Sequence, residues 1–270
     1  MNGRTGDDGA PGELRAPAAR KLSRFAGDWG MIIAVTAVFL LLVFEHRLLG
    51  SLLELLFPGE REVLYPRADP PLLLGEHLVL VALSSVAATV TGVAVGLFVT
   101  RQSGRDFLTL VNDLSSLAQT IPPVAVLALA VPLIGFGFKP TVVALFLYSI
   151  LPVIRNTIAG IESVDPRLKE AALGVGMTRV QLLAMVELPL SLRVIMAGIR
   201  TSVVINIGTA TIGAVVGAGG LGTPIISGLV RENPAFVLEG ALIAALLAFL
   251  FDQYLGRAER GLFRSFRMEE

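Results

Sequence analysis

Leu78–Val99 contains no charged residue, is rich in Val, Ala and Gly, and is closed by Arg101 and Arg105. An α-helix needs roughly 20 apolar residues to cross a bilayer core about 30 Å thick. Lipid offers no partner for backbone N–H and C=O groups, so such a run must be helical. With His77 at its start, this is the strongest of about six candidate spans of that kind. Trp29–Phe44 is a second, with Trp29 as an interfacial anchor. Leu114–Ile134 contains Pro122 and Pro123, which predict a bent, pore-side helix whose freed carbonyls need other partners. Thr141–Ile154 is short, with Lys139 and Arg155 snorkelling at its ends. Val194–Ala218 carries Arg200 and Asn206, and Phe236–Leu255 carries Glu239 and Asp252 near opposite ends. The expected fold class is an all-α integral membrane protein, a polytopic helical bundle.

Composition narrows the function classes. At 54% hydrophobic and 16% charged residues, the chain lies well below the roughly 25% charge of soluble domains. Its 22 basic and 22 acidic residues cancel, leaving no electrostatic footprint for nucleic acid. The absence of cysteine excludes disulfides and thiolate sites, and His46 and His77 lie too far apart in sequence to make a promising metal cluster. Residues 1–28 lack an apolar period and are predicted to be a mobile cytoplasmic tail. The apolar run that begins at Met31 has no cleavage site and is closed by Glu45, His46 and Arg47, so it is expected to be a retained span. A transmembrane domain over 29–255 and a cytoplasmic tail over 256–270 complete the expected organisation.

Lys and Arg set the orientation. With the N-terminus inside, sixteen fall in the tails, the 101–105 loop and the 155–193 segment, whereas Arg47, Arg61, Arg67, Lys139 and Arg231 are the five outside. Both termini and the 155–193 segment are therefore predicted to be cytoplasmic.

That segment, about 162–190, is too polar for lipid and dense in helix signals. Asp165 is an N-cap with Pro166 at the first helical position. Gly174 and Gly176 favour termination, and Thr178 with Gln181 forms a capping-box pattern. A second helix is expected to run to Glu187 and Leu188 and to end at Pro189.

Glu170, Ala171 and Ala172, then Gly176, then Val186, Glu187, Leu188 and Pro189 have a spacing that resembles the EAA motif of ABC importer permeases. Val186 stands where that family usually has Ile. The resemblance implies a type I ABC importer transmembrane domain whose cytoplasmic helix–turn–helix docks on an ATPase subunit. On that reading Asp165, Glu170, Ala171, Ala172, Gly176, Leu188 and Pro189 are ATPase-coupling residues. Glu170 would offer a carboxylate, the two alanines close approach, and Gly176 a pivot. A finer resemblance from about Gln119 to Leu229 is to the osmoprotectant group, which imports glycine betaine, choline or carnitine. Methionine-type permeases share the EAA segment and a GGLG stretch. The implied partners are ABC ATPase subunits, a second copy or homologous permease, an extracytoplasmic substrate-binding protein and membrane lipid. The implied location is the bacterial cytoplasmic membrane.

Inside the spans, Gln119, Asn206, Thr209 and Thr211 are the candidates for the translocation path, each with a competing packing interpretation. Arg200 is expected to snorkel as a positional anchor. The glycine-rich 217–222 stretch lacks the lysine of a phosphate loop, and no Walker A pattern occurs in the chain. ATP and Mg²⁺ are thus expected on a partner, with no cofactor, metal or catalytic residue in this chain. A passive channel would have no use for the docking motif. An intramembrane enzyme would need a paired constellation, and Glu239 and Asp252 sit too far apart on one helix to provide it.

Overall fold

The computed structural model describes residues 16–267, with side chains described for 29–261. The regular structure among those residues is all helical, without a strand. α1 (Ala16–Phe44) meets α2 (His46–Leu56) at 91° across Glu45. α3 (Pro70–Val99) is followed by a short 3₁₀ turn and α4 (Leu108–Ala118), which meets α5 (Pro123–Ile134) at 98°. Then come α6 (Phe138–Glu162), α7 (Pro166–Gly174), α8 (Arg179–Leu182), α9 (Leu188–Ala210), α10 (Gly222–Arg231) and α11 (Pro234–Arg267).

Close contacts fix the directions of the spans. A Cβ on Gly92 would lie 2.8 Å from Val153 Cβ, and one on Gly96 2.6 Å from Thr157 Cβ, so α3 and α6 touch backbone to side chain and run parallel. α9 runs antiparallel to α6: Gly160 faces Ser191, and Ser202 Oγ donates to the Ser149 carbonyl at 2.7 Å. α11 runs antiparallel to α1, with Arg257 over the Trp29 ring at 5.3 Å and Tyr254 bonded to Thr36 at 2.8 Å. Parallel α3 and α6 require the chain between them to cross back once. The bent pair α4–α5 therefore makes one net crossing, which with α1 and the four unbroken spans gives six. The main core lies where α1, α2, α3, α9 and α11 meet, around Val43, Leu53, Leu80, Ile207 and Ile243.

Several span boundaries differ from the sequence expectations. Helix α1 begins at Ala16, so residues 16–28 are helical where a tail was expected, and 1–15 lie outside the described residues. α11 continues to Arg267, through most of the expected C-terminal tail. The third span is two helices: Pro122 is extended, as the residue before a proline tends to be, and residues 119–122 leave the helix. The fourth span is the 25-residue α6, with Lys139 in its first turn and Arg155 inside it instead of at its other end. Arg155 bonds Gln119 and Ser116 instead of snorkelling. At most 44% of any unbroken span's most apolar window is buried. Leu129, Leu133 and Phe136 are 70–84% exposed, a surface for lipid or neighbouring chains, not water.

Candidate coupling site

Asp165 begins the segment by accepting the Arg167 N–H at 2.8 Å, and Pro166 fits the first turn, where no donor is needed. α7 ends in a paired cap: Met177 N–H donates to the Ala172 carbonyl and Gly176 N–H to that of Leu173. This Schellman arrangement needs a left-handed residue, and Gly176 supplies it with φ +90°. The reciprocal capping box between Thr178 and Gln181 then starts α8.

Pro189 does not end the second helix. Residues 183–187 form one wide π turn, in which Leu188 N–H donates to the Leu183 carbonyl. The wider turn accommodates the donor that Pro189 lacks, so helix continues from Arg179 to Val216, 38 residues. The second half of this segment is therefore joined to α9 by continuous helix, and the chain turns at the Gly176 corner before it.

Glu170 and Ala171 are exposed, and Glu170 makes no ion pair among the described residues, whereas Ala172 is buried against the bundle. Exposed apolar side chains occur in the same segment: Leu168 is 49% exposed, Val175 79% and Val180 75%. An unpaired exposed carboxylate and exposed apolar groups on one segment are a chemistry suited to a protein partner. Leu188 and Pro189 are half-buried at the entry to α9.

The four path candidates are held by different partners. Gln119 sits exposed at the α4–α5 corner and accepts from Arg155 at 3.2 Å. Asn206 is fully buried, its amide donating to Ser84 and Ser85 at 2.9 Å each, so in this conformation it joins α9 to α3 and does not face open space. Thr209 borders a narrow crevice with Pro123, Leu127 and Thr141, and Thr211 bonds the Gly208 carbonyl at 2.7 Å. An open apolar cavity of about 400 Å³ between α3, α4 and α6 is lined by Val95, Leu114, Tyr148 and Leu151, among others. Arg200, expected as a lone anchor, instead forms a bidentate pair with Asp252, both bonds 2.7 Å, with Glu259 at 3.9 Å. The 217–222 stretch is a tight turn, with Gly220 N–H donating to Glu76 at 2.8 Å.

The family described as "Binding-protein-dependent transport system inner membrane component" matches residues 80–264, which include the whole coupling segment. This chain belongs to that family. It is 40% identical over 186 residues to the glycine betaine/carnitine/choline transport system permease protein OpuCB of Bacillus subtilis, covering 69% of this chain and 85% of that one. It is 36% identical over 234 residues to the osmoprotectant import permease protein OsmY of Salmonella typhimurium, covering 87% and 93%. Among solved structures, an inward-facing form of the MetNI methionine ABC transporter aligns with TM-score 0.62 at 22% identity, over 69% of this chain and 92% of that one. The fold is thus that of type I ABC importer permeases.

In this inner membrane component, sequence reasoning missed Glu187, Lys169 and Arg101 as site residues. Glu187 is 4% exposed and accepts from Arg101 at 2.5 Å, with Lys169 at 3.3 Å. A signal was present: an acidic residue at the mouth of an apolar span is costly unless paired, and both the 101–105 loop and the 155–193 segment carry basic residues.

Proposed function

We propose that this chain is the permease subunit of an ATP-driven importer that carries quaternary-amine osmoprotectants such as glycine betaine, choline and carnitine. The observation that carries the importer reading is the exposed Glu170 on α7, in a segment with exposed apolar side chains that one turn joins to the helix entering a membrane span. Such a surface has a purpose if a separate ATPase docks on it and moves α9. On this reading Asp165, Glu170, Ala171, Ala172, Gly176, Leu188 and Pro189 form or position the docking element. ATP and Mg²⁺ are held by that partner, and the chain itself catalyses no reaction.

The substrate class rests on the relatives, whose names specify glycine betaine, carnitine, choline or osmoprotectants. An extracytoplasmic binding protein would supply high-affinity recognition, and a second permease copy or homologue would complete the path. The described residues support termini on one side of the membrane, because Trp29 and Arg257 meet. The excess of Lys and Arg at that end supports its being cytoplasmic, in a bacterial inner membrane. Proteoliposomes containing the permease, ATPase and binding protein test the assignment. Uptake of radiolabelled glycine betaine, choline or carnitine is expected only with ATP and binding protein present. Uptake of methionine with none of the three amines carried would overturn the substrate class, and ATP-independent uptake would overturn the importer reading.

A further inference from the structure

We infer that Glu187 is a positioning residue for coupling: its buried carboxylate clamps the coupling helix α7, the end of span α3 and the start of span α9 into one body. The inference rests on the importer reading above and adds the element that passes displacement from the docking helix to a second span.

Three segments distant in sequence converge on this carboxylate. Glu187 belongs to the π turn that opens α9. Its Oε2 accepts from Nη1 of Arg101, just past the end of α3, at 2.5 Å. Its Oε1 lies 3.3 Å from Nζ of Lys169 in α7. Lys169 also donates to the Ile161 carbonyl at 2.9 Å, which ties α7 to the last turn of α6. The carboxylate is 5% exposed, against 28% and 26% for the side chains of Arg101 and Lys169, so the anion is at the centre and the cations fan outward. A surface pair would add little. Around a desolvated carboxylate, however, removing its charge leaves two partly buried cations uncompensated and lets the segments separate.

The wide turn and the clamp act at the same place. A π turn presents its side chains at an offset from a regular helix and often marks a functional position. Here that offset belongs to the residue that reaches both neighbours. Docking forces applied at Glu170 therefore reach α9 across the Gly176 corner and through the Lys169–Glu187 pair, and α3 through Glu187–Arg101. Without the clamp, α3 has no ion pair to the coupling segment among the described residues.

The test uses the whole complex of permease, ATPase and binding protein in nanodiscs. The chain has no cysteine, so spin labels can be placed at Gln102→Cys and Val175→Cys, both exposed. With native Glu187, the 102–175 distance is expected to be narrowly distributed and unchanged by ATP. In Glu187→Gln the distribution should broaden, and uptake per ATP hydrolysed should fall about tenfold or more. ATPase binding and basal hydrolysis should persist. If Glu187→Gln does not fold, Lys169→Gln, which removes only the α7 arm, provides the same comparison. A native distance that shifts by several ångströms with ATP, or a variant with native uptake per ATP, overturns the clamp. Failure of the native permease to bind the ATPase would instead overturn the importer reading.

Discussion

Gly176 holds φ +90° with no atom within 4 Å of where a Cβ would sit. Space is therefore no obstacle to a larger residue, and conformation is the whole constraint. A β-branched residue in that region costs about 1–3 kcal/mol of strain. Gly176→Val should relieve the strain by opening the α7 corner, and so lower substrate-stimulated ATP hydrolysis about tenfold while leaving the permease monodisperse in detergent. Gly176→Ala should fall between it and the native chain, and equal activity in all three would remove the turn from the mechanism. The cap at Asp165 and the capping box at Thr178 were legible because each depends on residues within three positions. Glu187 was not, since its partners lie 86 and 18 residues back along the chain and only the fold brings them together. For the same reason the Arg200–Asp252 pair, separated by 52 residues, is not legible in the sequence, where Arg200 reads only as a positional anchor.

At the scale of elements, spans declare themselves by apolar length, and the six expected segments correspond to four unbroken helices and two bent pairs. Their ends were less legible. Arg155 and Pro189 look like stops in sequence, yet α6 runs on past Arg155 to Glu162 and a π turn carries the chain through the proline. The crossing of α3 on α6 depends on Gly92 and Gly96, a small-xxx-small spacing that lets backbones approach. Gly96→Leu should destabilise the permease by about 1–3 kcal/mol, because the added atoms would have to displace Thr157. Gly75→Leu on the same helix meets open space and serves as the control. Thermal unfolding in detergent separates the two, and equal midpoints would show that the crossing is looser than described.

For the whole molecule, parallel α3 and α6 make the bent α4–α5 pair one crossing, so the loop before α3 and the coupling segment lie on opposite faces. Single cysteines at Gly59, Gln102 and Val175 in this cysteine-free chain test that arrangement. A membrane-impermeant thiol reagent applied to intact cells with a permeabilised outer envelope should label position 59 and spare 102 and 175 until the inner membrane is opened. Labelling of 175 from outside would invert or break the six-crossing topology. Glu170 on the opposite face carries the central claim, that this segment couples a partner ATPase to the spans. The Glu170→Lys variant, reconstituted with ATPase and binding protein, measures it most directly. Reversing an exposed charge leaves the fold intact, but like charges brought together at an interface cost several kcal/mol. The account predicts loss of ATPase binding and of substrate-stimulated uptake together, in a permease that still inserts and remains monodisperse. Native uptake by Glu170→Lys would contradict it.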